Sequence, residues 1–154
     1  DRLPQAPVPR ELLGSEILKP LPLVSRRDNK RLGKLISDAK WPNQWRPTVS
    51  GRGACLGATF DKGNARLSAS TRPHEQLIRE VNAVVARYLV PAGIPWGSLQ
   101  INVDSVSRPH QDSNNQGLSL LLLLGSFKGG GFHSVDPKFS VSGARSAKII
   151  DGTI

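Results

Sequence analysis

The apolar residues of this chain change their period once, and that change limits the fold more than any other feature. From about Pro73 to Leu89, the residues Leu77, Val81, Val84 and Tyr88, with Ile78, Val85 and Leu89 beside them, form a stripe at helical spacing. Thr71 or a neighbour can cap this helix, Pro73 suits its first turn, Glu75 and Arg79 form an i,i+4 pair, and Pro91 with Gly93 stops it. Beyond it the spacing becomes strand-like, at Leu99 to Val103, Leu118 to Leu124, near Gly131 to Val135, and at Ala147 to Ile150. One long helix followed by several short strands predicts an α+β, mainly β domain built as a sandwich or barrel. The unbroken Leu120 to Leu124 run predicts a strand buried on both faces.

Ahead of the helix the chain is irregular. Pro4, Pro7, Pro9, Pro20 and Pro22 make residues 1–24 an extended arm, because each removes a backbone donor and disfavours helix in the residue before it. A short helix is predicted from Asn29 to Ala39, with Leu32, Leu35 and Ile36 on one face. Trp41 to Pro47 then breaks it, its tryptophans serving as packing anchors. Ala54 to Phe60 reads as a strand and Asp61 to Asn64 as the turn that ends it. The expected organisation is a proline-rich, basic extension over residues 1–47 and a core over residues 48–154, without internal repeats.

At 154 residues the chain can bury the core of one domain. Lys and Arg number 21 against 12 Asp and Glu, a net +9 that suits acidic partners, DNA or RNA foremost. Arg26, Arg27, Lys30, Arg31 and Lys34 are the candidate nucleic-acid contacts; a basic but merely solvated surface explains them equally well. Cys55 has no partner for an internal disulfide and no apolar run is long enough to cross a bilayer, so an intracellular setting, nucleus or cytoplasm, is expected. Oligomeric state is not legible.

Between two of the expected strands lies a polar segment, Arg108-Pro109-His110-Gln111-Asp112-Ser113-Asn114-Asn115-Gln116-Gly117. On an extended segment His110 and Asp112, two apart, leave the same face and can converge on one metal ion. Imidazole nitrogen with carboxylate oxygen suits iron(II), and one more histidine would complete a facial triad with three open positions. Taken alone, His-x-Asp is a common tripeptide, and an ordinary loop histidine is the simpler account of it.

The wider pattern runs Pro109-His110-x-Asp112-x-x-Asn115-x-Gly117-x-Ser119, then the leucine strand, then Gly125-Ser126-Phe127-x-Gly129-Gly130-x-Phe132. It resembles the iron(II)- and 2-oxoglutarate-dependent dioxygenase superfamily, most of all the ten-eleven translocation and J-binding-protein type, which oxidises the methyl group of 5-methylcytosine or thymine in nucleic acid. The likeness covers roughly Ser50 to Ile154, and only His110 to Phe132 is specific. It implies a double-stranded β-helix (jelly-roll, cupin-like) with the long helix supporting one sheet. It also implies Fe(II) as cofactor and 2-oxoglutarate as co-substrate, decarboxylated to succinate as a C–H bond is hydroxylated. His110 and Asp112 match two metal ligands, Asn115 matches a polar position that orders the site, and Asn102 is a weaker match for a residue facing the co-substrate.

The sequence also departs from that family. Its second ligand histidine and the arginine that holds the distal carboxylate of 2-oxoglutarate are expected after the glycine pair, and neither is visible; Ala147 to Gly152 looks like the strand leading to them. On this reading the chain stops short of both, is incomplete at its C-terminal side, binds iron poorly and turns nothing over. His133 could complete the triad but follows the first ligand too closely for that fold, and a strand histidine is the plainer account. His74 is a helix-start residue. Arg145 and Lys148 could replace the missing anchor, although surface charge explains them more simply. Gly129 to Gly131 lack the strand and helix of a phosphate loop and predict a tight turn with close backbone approach. Three functions stay open: an oxygenase acting on a nucleic-acid base, an inactive β-helix module binding nucleic acid through the Arg26 to Arg46 region, and an oxygenase acting on protein or small molecules.

Overall fold

The fold is seen in a computed structural model that describes residues 20–44, 49–61, 64–107, 118–127, 129–132 and 140–151. Among the described residues it is a mixed α/β arrangement of two helices and two antiparallel sheets. The first helix, α1, spans Arg26–Asp38, three residues earlier than the apolar spacing alone suggests. Its start is set by Ser25, whose hydroxyl accepts from the Asp28 amide at 3.1 Å and satisfies one of the orphan donors of the first turn. At the other end the Trp41 indole donates to the Ile36 carbonyl at 2.7 Å, meeting an acceptor that the helix itself leaves open.

The long helix, α2, spans Glu75–Ala92 and is preceded by a 3-10 turn at Arg72–His74. Its predicted stripe is the buried face: Leu77, Val81, Val84, Val85, Tyr88 and Leu89 are all buried. Two details differ from expectation. Thr71 makes no side-chain cap; its hydroxyl instead accepts from the Gly57 amide at 2.9 Å and pairs with Ser68, tying the turn to the first sheet. Pro91 sits inside the last turn, and the helix ends at Gly93, whose left-handed φ of 70° closes it through bonds to Leu89 and Val90.

Strands β1 (Val49–Asp61), β2 (Asn64–Leu67) and β3 (Ser98–Ser107) form one sheet in the order β2-β1-β3; β4 (Leu118–Leu122) and β5 (Ala147–Asp151) form the other. One hydrophobic cluster unites them, since Leu56 and Ile101 of the first sheet, Ile149 of the second, the α2 stripe, and Val24, Leu32 and Trp41 all belong to it. The described part of the N-terminal segment is therefore packed into the same core as the strands.

Strand β4 corrects the expectation of burial on two faces. Leu118, Leu120 and Leu122 face the cluster, Ser119 is exposed, and none of the leucines is fully buried. The pleat keeps its period of two despite the uniform composition: among the described residues it is the alternate leucines that pack against the cluster, while Leu121 between them is half-buried. After β4 the side-chain amide of Asn29 clasps Gly125, donating to its carbonyl at 3.2 Å and accepting from its amide at 2.7 Å, which docks α1 on this sheet. The close backbone approach expected at the glycines is present: a Cβ at Gly131 would lie 2.6 Å from the Val141 carbonyl, and Phe132 and Val141 exchange backbone hydrogen bonds.

Candidate functional site

The residues of the site lie beyond the end of β3, so the geometry of that strand comes first. It pairs with β1 from Gly57↔Ser98 to Val49↔Ser107. Between Ser50↔Val106 and Arg52↔Val103, β3 carries one residue more than β1, a bulge in which Asp104 takes a left-handed φ of 50°. Bulges bend a strand and sharpen its twist, and they recur where a side chain must be re-aimed beside a site. The bulge stands three residues before the strand ends, on the side from which the chain enters the His110 segment.

Asn102, expected to face a co-substrate, is exposed, and its carbonyl oxygen accepts from Gln44 Nε2 at 2.9 Å and Gln100 Nε2 at 3.3 Å. Opposite it, Gly53 leaves the room that the Gln44 amide and the Ile101 carbonyl occupy. Asn102 is thus one corner of a small amide cluster on the β1/β3 edge. Nearby Arg52 and Asp104 approach to 3.7 Å, both well exposed, a pairing of little energetic weight.

His110, Asp112, Asn115 and His133 lie outside the described residues. Among the described residues no cluster of three or more His, Cys, Asp and Glu could hold a metal ion. His74 has a packing role: its ring stacks on Trp41. Arg145 is also structural, its Nε donating to the Val24 carbonyl at 2.8 Å while Val24 donates back to the Arg145 carbonyl. Lys148 stands on β5 opposite Leu121, half-buried. Among the described residues no helix is long and apolar enough to cross a membrane.

The five cations singled out on the N-terminal side all fall on α1. Arg31 pairs with Glu80 at 2.5 Å, and Arg87 pairs with Asp28, so two ion pairs bridge α1 and α2. They flank a groove of about 300 Å³ between the helices that also takes in Leu32, Arg79, Ala83 and Val84. Glu75 and Arg79 make no ion pair with each other; Arg79 turns to this groove instead. The spacing Arg79-Ala83-Arg87, one residue per turn on one side of a helix, was the available signal for that lining.

Comparison with protein-family models, with curated proteins and with solved structures returns no match to this chain.

Proposed function

We propose that this chain contributes His110 and Asp112 to the metal centre of an iron(II)- and 2-oxoglutarate-dependent oxygenase whose substrate is a methylated or modified nucleic-acid base. The observation that carries the reading is the order of parts. A polar segment with a His-x-Asp pair and Asn115 leaves a strand bulged at Asp104 and leads into β4, whose leucines at alternate positions face the core. In this reading the two antiparallel sheets belong to a double-stranded β-helix, with α2 as the helix that supports one of them.

The donor set fits the group: a neutral imidazole and a carboxylate suit iron(II). The 2-His-1-carboxylate set needs one more histidine, and His74, stacked on Trp41, does not supply it. Iron(II) held there with 2-oxoglutarate and dioxygen supplies the oxidising power for hydroxylating a C–H bond. The residues of the chain orient and exclude: Asn115 orders the ligand segment, and the cations of α1 draw in a polyanion. A base inside a duplex must leave its stack to be reached.

Cobalt(II) titration followed by visible absorption tests the ligand pair, since it needs no turnover. Binding should be lost in His110→Ala and Asp112→Ala and kept in His74→Ala. In a protein that also carries the second ligand histidine and the carboxylate-binding arginine, 2-oxoglutarate should give succinate only with iron(II), and either ligand substitution should abolish that turnover. Two variants that retain the wild-type titration would remove the reading. A second reading, a nucleic-acid module without metal chemistry, is favoured by the cationic face of α1; metal-independent, salt-sensitive DNA binding by the ligand variants selects it.

A further inference from the structure

The five cations of α1 are not spread around the helix. At about 100° per residue, Arg26, Arg27, Lys30, Arg31 and Lys34 fall within an arc of roughly 140° and along a rise of about 12 Å. The opposite side is the one that packs: Leu32 is 1% exposed, and Leu35, Ile36 and Asn29 are partly buried against the core. The helix thus turns its whole apolar side inward and presents a cationic track outward. Arg31 is neutralised by Glu80, whereas Arg26, Arg27, Lys30 and Lys34 are exposed and form no ion pair among the described residues. Asp38, exposed, falls within the same arc one turn beyond Lys34 and closes the cationic track at that end.

This placement does not serve the helix itself. Arg26 and Arg27 sit in the first turn, where the macrodipole is already positive, and the last turn carries no basic residue. The arrangement therefore works against helix stability and concentrates positive potential at one end of an exposed, rigid element. A folded helix that holds four unpaired cations in line has the charge and spacing to follow a phosphate backbone.

We propose that the outward face of α1 is a docking surface for nucleic-acid phosphates, contacted through Arg26, Arg27, Lys30 and Lys34. The proposal rests on the nucleic-acid binding of the proposed function and names the residues that carry it; it does not depend on the metal ligands, so loss of metal binding in the His110 and Asp112 variants would leave it intact. A membrane surface is the poorer fit: helices that lie in the lipid interface expose an apolar face, and that of α1 is consumed by the core, leaving Leu23 as an isolated exposed residue ahead of the helix.

The test is fluorescence anisotropy of the whole chain with a labelled duplex of mixed sequence and with its single strand, between about 50 and 200 mM NaCl. With four phosphate contacts on a duplex, the slope of log affinity against log salt should be near −3.6, a loss of roughly 150-fold over that range. Replacing Arg26, Arg27, Lys30 and Lys34 together by Gln should flatten that slope and abolish binding at the higher salt. Arg66→Gln with Arg72→Gln, on other faces, should leave affinity within about twofold. Should the fourfold variant lose its circular-dichroism helix signal, the Lys30→Gln, Lys34→Gln pair is the decisive one, with an expected slope near −1.8. A control pair as damaging as the Lys30, Lys34 pair would show diffuse charge attraction and overturn the proposal. So would binding only to vesicles rich in phosphatidylserine, with no affinity for either nucleic acid.

Discussion

The indole of Trp41 lies on the imidazole of His74, their ring centroids 4.4 Å apart and their planes 24° from parallel. This contact joins the residue that closes α1 to the turn that opens α2, so it couples the N-terminal segment to the long helix. Trp41 is also 7% exposed and belongs to the central cluster. Trp41→Ala should lower unfolding free energy by about 3–5 kcal/mol, as for other buried aromatics. A double-mutant cycle with His74→Ala should return a coupling of about 0.5–1.5 kcal/mol. Urea denaturation of the four proteins measures both; zero coupling would mean the rings merely lie side by side.

The second expectation concerns acid. Arg87 donates to the carboxylate of Asp28, and this bond holds the Asp28 carboxyl below its ordinary value, against a lesser upward push from burial and with help from Ser25. A carboxyl whose pKa is lower in the folded than in the unfolded chain stabilises the fold above the unfolded value of about 3.9. That stabilisation disappears as pH falls through the lower, folded value. Arg87 is 64% exposed on its side chain, so the pair is worth at most about 1 kcal/mol. Asp28→Asn should therefore cost little at pH 7 and weaken the acid dependence of the urea midpoint below about pH 4. An unchanged acid limb in that variant would show that Asp28 is not among the groups that set it.

These two contacts also show what could be read in the chain beforehand. The stripe of α2 was legible because seven apolar residues repeat at helical spacing, and the structure buries six of them. The start of α1 was not, because Arg26 and Arg27 look like loop charge until Ser25 is recognised as the cap. Strand β1 extends well before Ala54 since Gly51 and Gly53 weaken the strand pattern while the pairing with β3 continues through them. Burial of β4 was overestimated because composition alone cannot tell a leucine facing the core from one on the opposite face. The roles of His74 and Arg145 depend on partners 33 and 121 residues away, which no local pattern reveals.

The third expectation tests the strand that leads to the His110 segment. A Cβ placed on Gly53 would lie 2.0 Å from the Ile101 carbonyl and 2.8 Å from Gln44 Nε2, so any side chain must push β1 and β3 apart. Gly53 pairs with Asn102, and the displaced Gln44 amide is the one that donates to Asn102. Gly53→Ala should cost about 1–3 kcal/mol through overpacking. Gly97→Ala is the control, because its Cβ would meet nothing nearer than Ala58 Cβ at 3.8 Å, an ordinary contact. If the Gly53 variant unfolds at the same urea concentration as the Gly97 variant, the close approach of the two strands is not what Gly53 provides. If it destabilises as expected and Gln44→Ala does not, the constraint comes from the Ile101 backbone, and the amide cluster around Asn102 can be altered without loosening the sheet. That separation allows Asn102 to be probed for a role at the site independently of fold stability.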